Sequence, residues 1–164
     1  MRKILKIVLI ILIIIFVVIQ FIRPAKNSGE EIAANEITAK FDMPENVQQI
    51  LKVSCYDCHS NTTRYPWYWH MQPGAWVLSN HFNDGKKEVN FSVFSTYPAA
   101  KQYRKFKEIG EQVKKGDMPL FSYTIIHRNA VLSVQQKQTI EDWAANSMKE
   151  MEAKYPPDSL KRKK

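Results

Sequence analysis

Two hydrophobic patterns divide this chain. From Ile4 to Ile22, 17 of 19 positions are Ile, Leu, Val or Phe, interrupted only by Lys6 and Gln20, so the run is apolar on every face. Further on, apolar residues recur at three- and four-residue steps, the pattern of helices that bury one stripe. Asp42-Met43-Pro44-Glu45 has the form of a capping box with proline in the first turn, and Val47, Ile50 and Leu51 follow on one face, predicting a helix up to Ser54. Ala99, Tyr103, Phe106, Ile109 and Val113 predict a second helix, stopped by Gly116. Ser133 with Gln136 opens another box, and Ile140, Trp143, Ala144, Met148 and Met151 share a face until Tyr155-Pro156-Pro157 ends the helix. The first and last of these are the pair expected to pack together. A shorter helix is predicted over Ala75 to Asp84, and no convincing pair of alternating strands is visible, so the fold should be mainly α.

The apolar run changes the picture. At about 1.5 Å per residue it would make a helix of about 28 Å, close to the roughly 30 Å of a bilayer's hydrocarbon. Twelve of its 19 residues are β-branched, a poor helical composition in water that lipid would override by requiring every amide to be bonded within its own segment. Its length, and the lack of a small-x-small pair after it, argue against a cleaved secretory signal. Residues 1–23 are therefore expected to form a single-pass transmembrane anchor, with cations before it (Arg2, Lys3, Lys6) and after it (Arg23, Lys26) giving only a slight orientation bias. Pro24 stops the helix, and the polar stretch 24–41, with Asn27-Ser28-Gly29 as a turn signal, reads as a linker. Residues 42–157 suffice for one domain with a modest core, and 158–164 form a basic tail.

The chemistry sits at Cys55-Tyr56-Asp57-Cys58-His59. This C-x-x-C-H run is the attachment pattern of a c-type haem: two thiols on one helical turn reach the two vinyl groups of one porphyrin, and the histidine that follows meets the iron as proximal ligand. The chain has two cysteines and both lie in the motif, which commits them to one covalent haem c. A redox disulfide would expect a strand and turn before the cysteines, and a zinc site would need a second pair that is absent. Gly116-Asp117-Met118-Pro119-Leu120 offers Met118 as distal iron ligand, a soft thioether beyond a helix and beside a rigid proline. Its rivals are Met71, His70, His81 and His127.

The chain resembles the small bacterial haem-binding domain family, membrane-anchored relatives of monohaem cytochromes c. The resemblance is carried by Cys55 through Asn61, Tyr65-Pro66-Trp67-Tyr68, Asn90-Phe91-Ser92, and Met118-Pro119-Leu120 through Tyr123, His127, Leu132 and Trp143. It implies a cytochrome c-like helical domain around one haem, held by Cys55 and Cys58, with His59 proximal and Met118 at the family's methionine-proline position. It implies little about physiological role.

Arg64, Trp67 and Tyr68, close to the covalent site and rich in donors, are candidates for the haem edge or a propionate; the alternative is that they pack the core. Because covalent attachment of haem c takes place outside the bacterial cytoplasmic membrane, the N-terminus is expected inside and the haem domain periplasmic. The net charge of +8, half of it from Lys161-Arg162-Lys163-Lys164, suits acidic or membrane-bound redox partner proteins, while nucleic acid is an unfit partner for want of a reading motif. Single-electron transfer is the expected function, since His/Met ligation closes both axial positions. A haem-based gas or redox sensor would need a labile sixth ligand. A peroxidase-like enzyme would also need an acid/base group above the iron, for which His127 is the nearest candidate. A carrier rather than a catalyst is expected.

Overall fold

The computed structural model describes residues 1–161; Arg162, Lys163 and Lys164 of the basic tail lie outside the described residues. Seven α-helices follow one another: α1 (Arg2–Ile19), α2 (Glu45–Ser54), α3 (Tyr56–His59), α4 (Gly74–Glu88), α5 (Ala99–Lys115), α6 (Phe121–Thr124) and α7 (Val134–Lys154), with short 3-10 turns between several of them. The described residues contain no β-sheet beyond one isolated bridge, Ser28 with Thr62.

Local signals set several boundaries. Gly116 ends α5 in the left-handed region, φ +80°, with its amide turned back to the carbonyls of Gln112 and Val113. At the start of α7 the Ser133 hydroxyl accepts from the Gln136 amide, and the Gln136 side chain accepts from the Ser133 amide in return. The box expected at Asp42 does not form: Pro44 is the cap and no side chain bonds there. The Asp42 carbonyl instead accepts the Trp143 indole N–H at 3.0 Å, tying the entry of α2 to α7.

The main helix pair is α5 with α7, not α2 with α7 as the patterns suggested. Phe106 meets Trp143 edge to face at 5.4 Å, and Phe41 and Phe94 meet Phe106 and each other edge to face in turn. Val47 and Leu51 of α2 and Ile140 and Met151 of α7 close this core. A smaller second core joins Trp69 to Ala75, Leu78 and Phe82 of α4.

The N-terminal expectation is overturned. Among the described residues no helix is long and apolar enough to cross a membrane. Helix α1 stops at Ile19 and carries Arg2, Lys3 and Lys6 in its first turns. Its uninterrupted apolar part, from Ile7 to Ile19, is about 20 Å long at about 1.5 Å per residue, well short of roughly 30 Å. The transmembrane helix at 1–23 fails with it, as does the single-pass placement in the inner membrane. Gln20 and Ile22, counted into that span, instead belong to the domain: the Gln20 amide donates to the Gln72 carbonyl, and the Ile22 carbonyl accepts from Gln72 Nε2 and Trp76 Nε1. The Arg23 guanidinium donates to the carbonyls of Trp69 and His70, both at 2.8 Å. Helix α1 itself buries no residue.

The stretch 24–41 is likewise no free tether. Ile37 and Phe41 are part of the main core. Asn27 is buried and its side-chain amide donates to the Ser60 carbonyl and the Thr63 hydroxyl, while the Gly29 amide donates to the Asn61 carbonyl at 2.8 Å. This segment fastens the chain immediately after the C-x-x-C-H motif.

Candidate haem site

The motif is a tight turn between α2 and α4. Helix α2 ends at Ser54, and the Cys55 carbonyl then accepts from the amides of both Cys58 and His59, at 3.1 and 3.0 Å, which winds α3 and puts both thiols on one turn. Against this turn lies the last part of α4. Gly85 packs so closely that a Cβ built on it would stand 2.6 Å from the Cys58 carbonyl oxygen, nearer than real contacts allow.

That proximity orients the histidine. His59 Nδ1 lies 2.9 Å from the Gly85 carbonyl and 3.0 Å from that of Val89, two acceptors that require the proton on Nδ1. The lone pair is left on Nε2, the tautomer a metal-ligating imidazole uses. Burial lowers the His59 pKa despite these bonds, keeping the ring neutral. Burial also pushes the Cys55 and Cys58 thiols up to about 12, the opposite of the acidified thiol that marks a disulfide-exchange site. Both cysteines are free.

Two cavities meet at the motif, of about 430 Å³ and about 210 Å³, and Cys55, His59, Glu88 and Met118 line both. Leu51, Val89, Phe91, Ile109 and Val113 give the larger its apolar wall, and Cys58, Pro119, Leu120 and Tyr123 help close the smaller. Met118 reaches this position through the turn after α5, where the amides of Asp117 and Met118 both donate to the Gln112 carbonyl, at 3.0 and 3.3 Å. The structure thus brings together Cys55, Cys58, His59 and Met118, which the sequence separates by up to 63 positions, since 118 − 55 = 63. Two thiols, an imidazole with its lone pair free and a thioether, in an apolar space of the roughly 300–1,000 Å³ typical of cofactor sites, fit a c-type haem. A further cavity, about 440 Å³ between α2 and α7, is lined by Asn46, Gln49, Gln135 and similar residues, with no thiol, imidazole or thioether.

Of the rivals to Met118, His81 lines the smaller of the two cavities at the motif and the others line neither. His70 and Met71 are exposed. His127 is engaged elsewhere: its Nε2 is 3.0 Å from the Tyr68 hydroxyl, and its ring stacks on Tyr123 at 4.2 Å.

The candidates for the haem edge, Arg64, Trp67 and Tyr68, stand outside the two cavity linings. Trp67 is 69% exposed, and Arg64 is turned to Asp57, with Nε 3.1 Å from Oδ1 and Nη2 3.2 Å from Oδ2.

Asp57, the buried acid between the two cysteines, is a residue that motif spacing did not flag. Its Oδ2 accepts the Tyr123 hydroxyl at 2.7 Å and its Oδ1 accepts the Arg64 amide at 3.1 Å. Burial, then the bond to Asp57, raise the Tyr123 pKa, so the phenol stays protonated as donor. Tyr123 stands on α6, directly after the Met118 turn, so this bond joins the C-x-x-C-H motif to the methionine side of the cavity. Gly85 stands one residue past the helix expected over Ala75 to Asp84, where a glycine reads as a stop, whereas α4 runs on through it to Glu88.

A family model described as a haem-binding domain matches residues 14–146. No curated protein and no solved structure matches the chain.

Proposed function

The chain belongs to the haem-binding domain family, and from that premise we propose that it carries one covalent haem c and moves single electrons through it. The observation that carries this reading is the convergence of Cys55, His59 and Met118 on the same cavity walls. Cys55 and Cys58 each add across one vinyl double bond: the sulfur forms the new carbon–sulfur bond, the hydrogen goes to the neighbouring carbon, and no oxidant is consumed. His59, held by the carbonyls of Gly85 and Val89 with Nε2 left as the unprotonated nitrogen, would supply an imidazole ligand to the iron, and Met118 a thioether ligand. The bound group supplies the ferric–ferrous couple. A closed His/Met pair favours higher potentials and keeps small ligands off the iron, which suits a carrier. The net charge of +8 steers such a carrier toward acidic redox partners.

The test is the optical spectrum of the full chain, co-produced with cytochrome c maturation machinery, with and without carbon monoxide, for wild type and Met118→Ala. The expected result is covalently retained low-spin haem that takes up carbon monoxide only after Met118 is removed. Carbon monoxide binding by the wild type would overturn the closed-site carrier in favour of a sensor or enzyme. Haem lost on denaturation would overturn covalent attachment.

A further inference from the structure

One charged group in the larger cavity has no part in the reading above. Lys105 of α5 is 6% exposed and lines that cavity. Among the described residues it is the only lysine or arginine lining either cavity beside the motif. Its ammonium is held 2.5 Å from Glu108 Oε2 and 3.3 Å from Glu88 Oε2, and both acids line the same cavity.

The two counterions are not bound as firmly as the cation. The Glu88 side chain is 78% exposed and Glu108 41%, so either carboxylate can turn to water, and Glu108 has a second cation at hand in Arg104, at 3.4 Å. Lys105 has no such outlet, because a buried ammonium needs a partner wherever it sits. A haem entering this space brings two propionate carboxylates, and the acids already there would repel them. Arg64, a basic residue close to the motif, is occupied by Asp57 outside both cavities.

We propose that Lys105 is the propionate-binding cation of this protein, kept in the cavity by Glu88 and Glu108 until a haem propionate takes their place. The proposal rests on the haem reading of the cavity and adds the group that would recognise the carboxylate edge of the ligand. Glu88 and Glu108 act as stand-ins for that edge in the unloaded chain.

The experiment titrates the full apo chain, under reducing conditions, with ferrous haem and in parallel with its dimethyl ester, whose propionates carry no charge. Binding is read by absorbance before thioether formation, for wild type, Lys105→Met and Lys105→Arg. Lys105→Met is expected to bind haem about tenfold more weakly or worse, the size of one charge-assisted hydrogen bond. The ester should bind it as tightly as wild type, and Lys105→Arg should retain most of the haem affinity. Equal loss for both ligands would reduce Lys105 to a structural role, and no loss for either would also sink the proposal. Glu88→Gln provides the check if Lys105→Met does not fold: removing a competing carboxylate should tighten haem without changing the ester, and unchanged or weaker haem binding would count against the exchange. Failure of the wild type to bind either ligand would instead overturn the haem reading itself.

Discussion

The two sides of the cavity are built to different standards. On the histidine side, His59 Nδ1 has two carbonyl partners, Gly85 lies against the Cys58 carbonyl, and residues 27–31 fasten the chain just after the motif. On the methionine side, Gly116, Asp117, Leu120 and Phe121 are exposed and the short helix α6 buries only Tyr123. The hydrogen bond from Tyr123 to Asp57 links the motif itself to α6. The difference teaches that the His59 ring is preorganised by packing, while the Met118 turn rests on the Asp117 and Met118 amides at the Gln112 carbonyl and on the Tyr123 phenol.

The sharpest way to break the rigid side is Gly85→Ala. The new methyl would stand 2.6 Å from the Cys58 carbonyl oxygen and 3.1 Å from the Cys58 Cβ, atoms of a turn that cannot yield without moving the motif. Overpacking of this kind costs about 1–3 kcal/mol, against which alanine's better helix propensity returns about 1 kcal/mol. A lower urea midpoint and poorer covalent haem loading are expected. A variant as stable as wild type would show that the motif yields to the new methyl, and that α4 does not fix it.

Breaking the link itself is the next largest step. Tyr123→Phe removes the hydroxyl that the buried Asp57 carboxylate accepts, at a cost of about 1–3 kcal/mol for a bond to a charged group. The expectation is specific to the distal side. In the haem-loaded protein the methionine–iron absorption band should weaken and carbon monoxide should gain access, while thioether attachment through Cys55 and Cys58 is kept. If stability falls but the methionine band is unchanged, the Met118 turn is held by something other than this bond.

What the sequence disclosed follows the same division between local and distant causes. C-x-x-C-H spacing, the left-handed Gly116 and the Ser133–Gln136 box act over a few residues, so they could be read directly. The place of Met118 on the cavity wall was legible because a thioether beside a proline after a helix stop is a local arrangement too. The role of 27–41 was not, since Asn27 becomes a structural residue only when Ser60 and Thr63 come beside it, and Ile37 and Phe41 are lone apolar residues without a stripe. Periodicity marked the buried face of α7 but not its partner, α5. The N-terminal run was judged on hydropathy summed to Ile22, whereas the helix ends at Ile19 and begins with three cations. Asp57 and Lys105 were invisible for a related reason: an acid or a lysine in sequence gives no sign that it will be buried.

The mildest perturbation, Arg64→Ala, separates the link from its surroundings. Arg64 contributes two side-chain contacts to the Asp57 carboxylate, but its side chain is 64% exposed, so solvent screening leaves the pair worth about 0.2–1 kcal/mol. The Tyr123 bond to Asp57 and the Arg64 main-chain amide bond to Oδ1 both survive the substitution. Since Arg64 lines neither cavity, the haem midpoint potential and the propionate bands in the resonance Raman spectrum should match wild type within error, with only a slight fall in the urea midpoint. The same two spectroscopic readouts should move in Lys105→Met. A shift in Arg64→Ala without one in Lys105→Met would reassign the propionate edge to the outer face of the motif, and with it the rigid side of the cavity would gain the charge that is here given to α5.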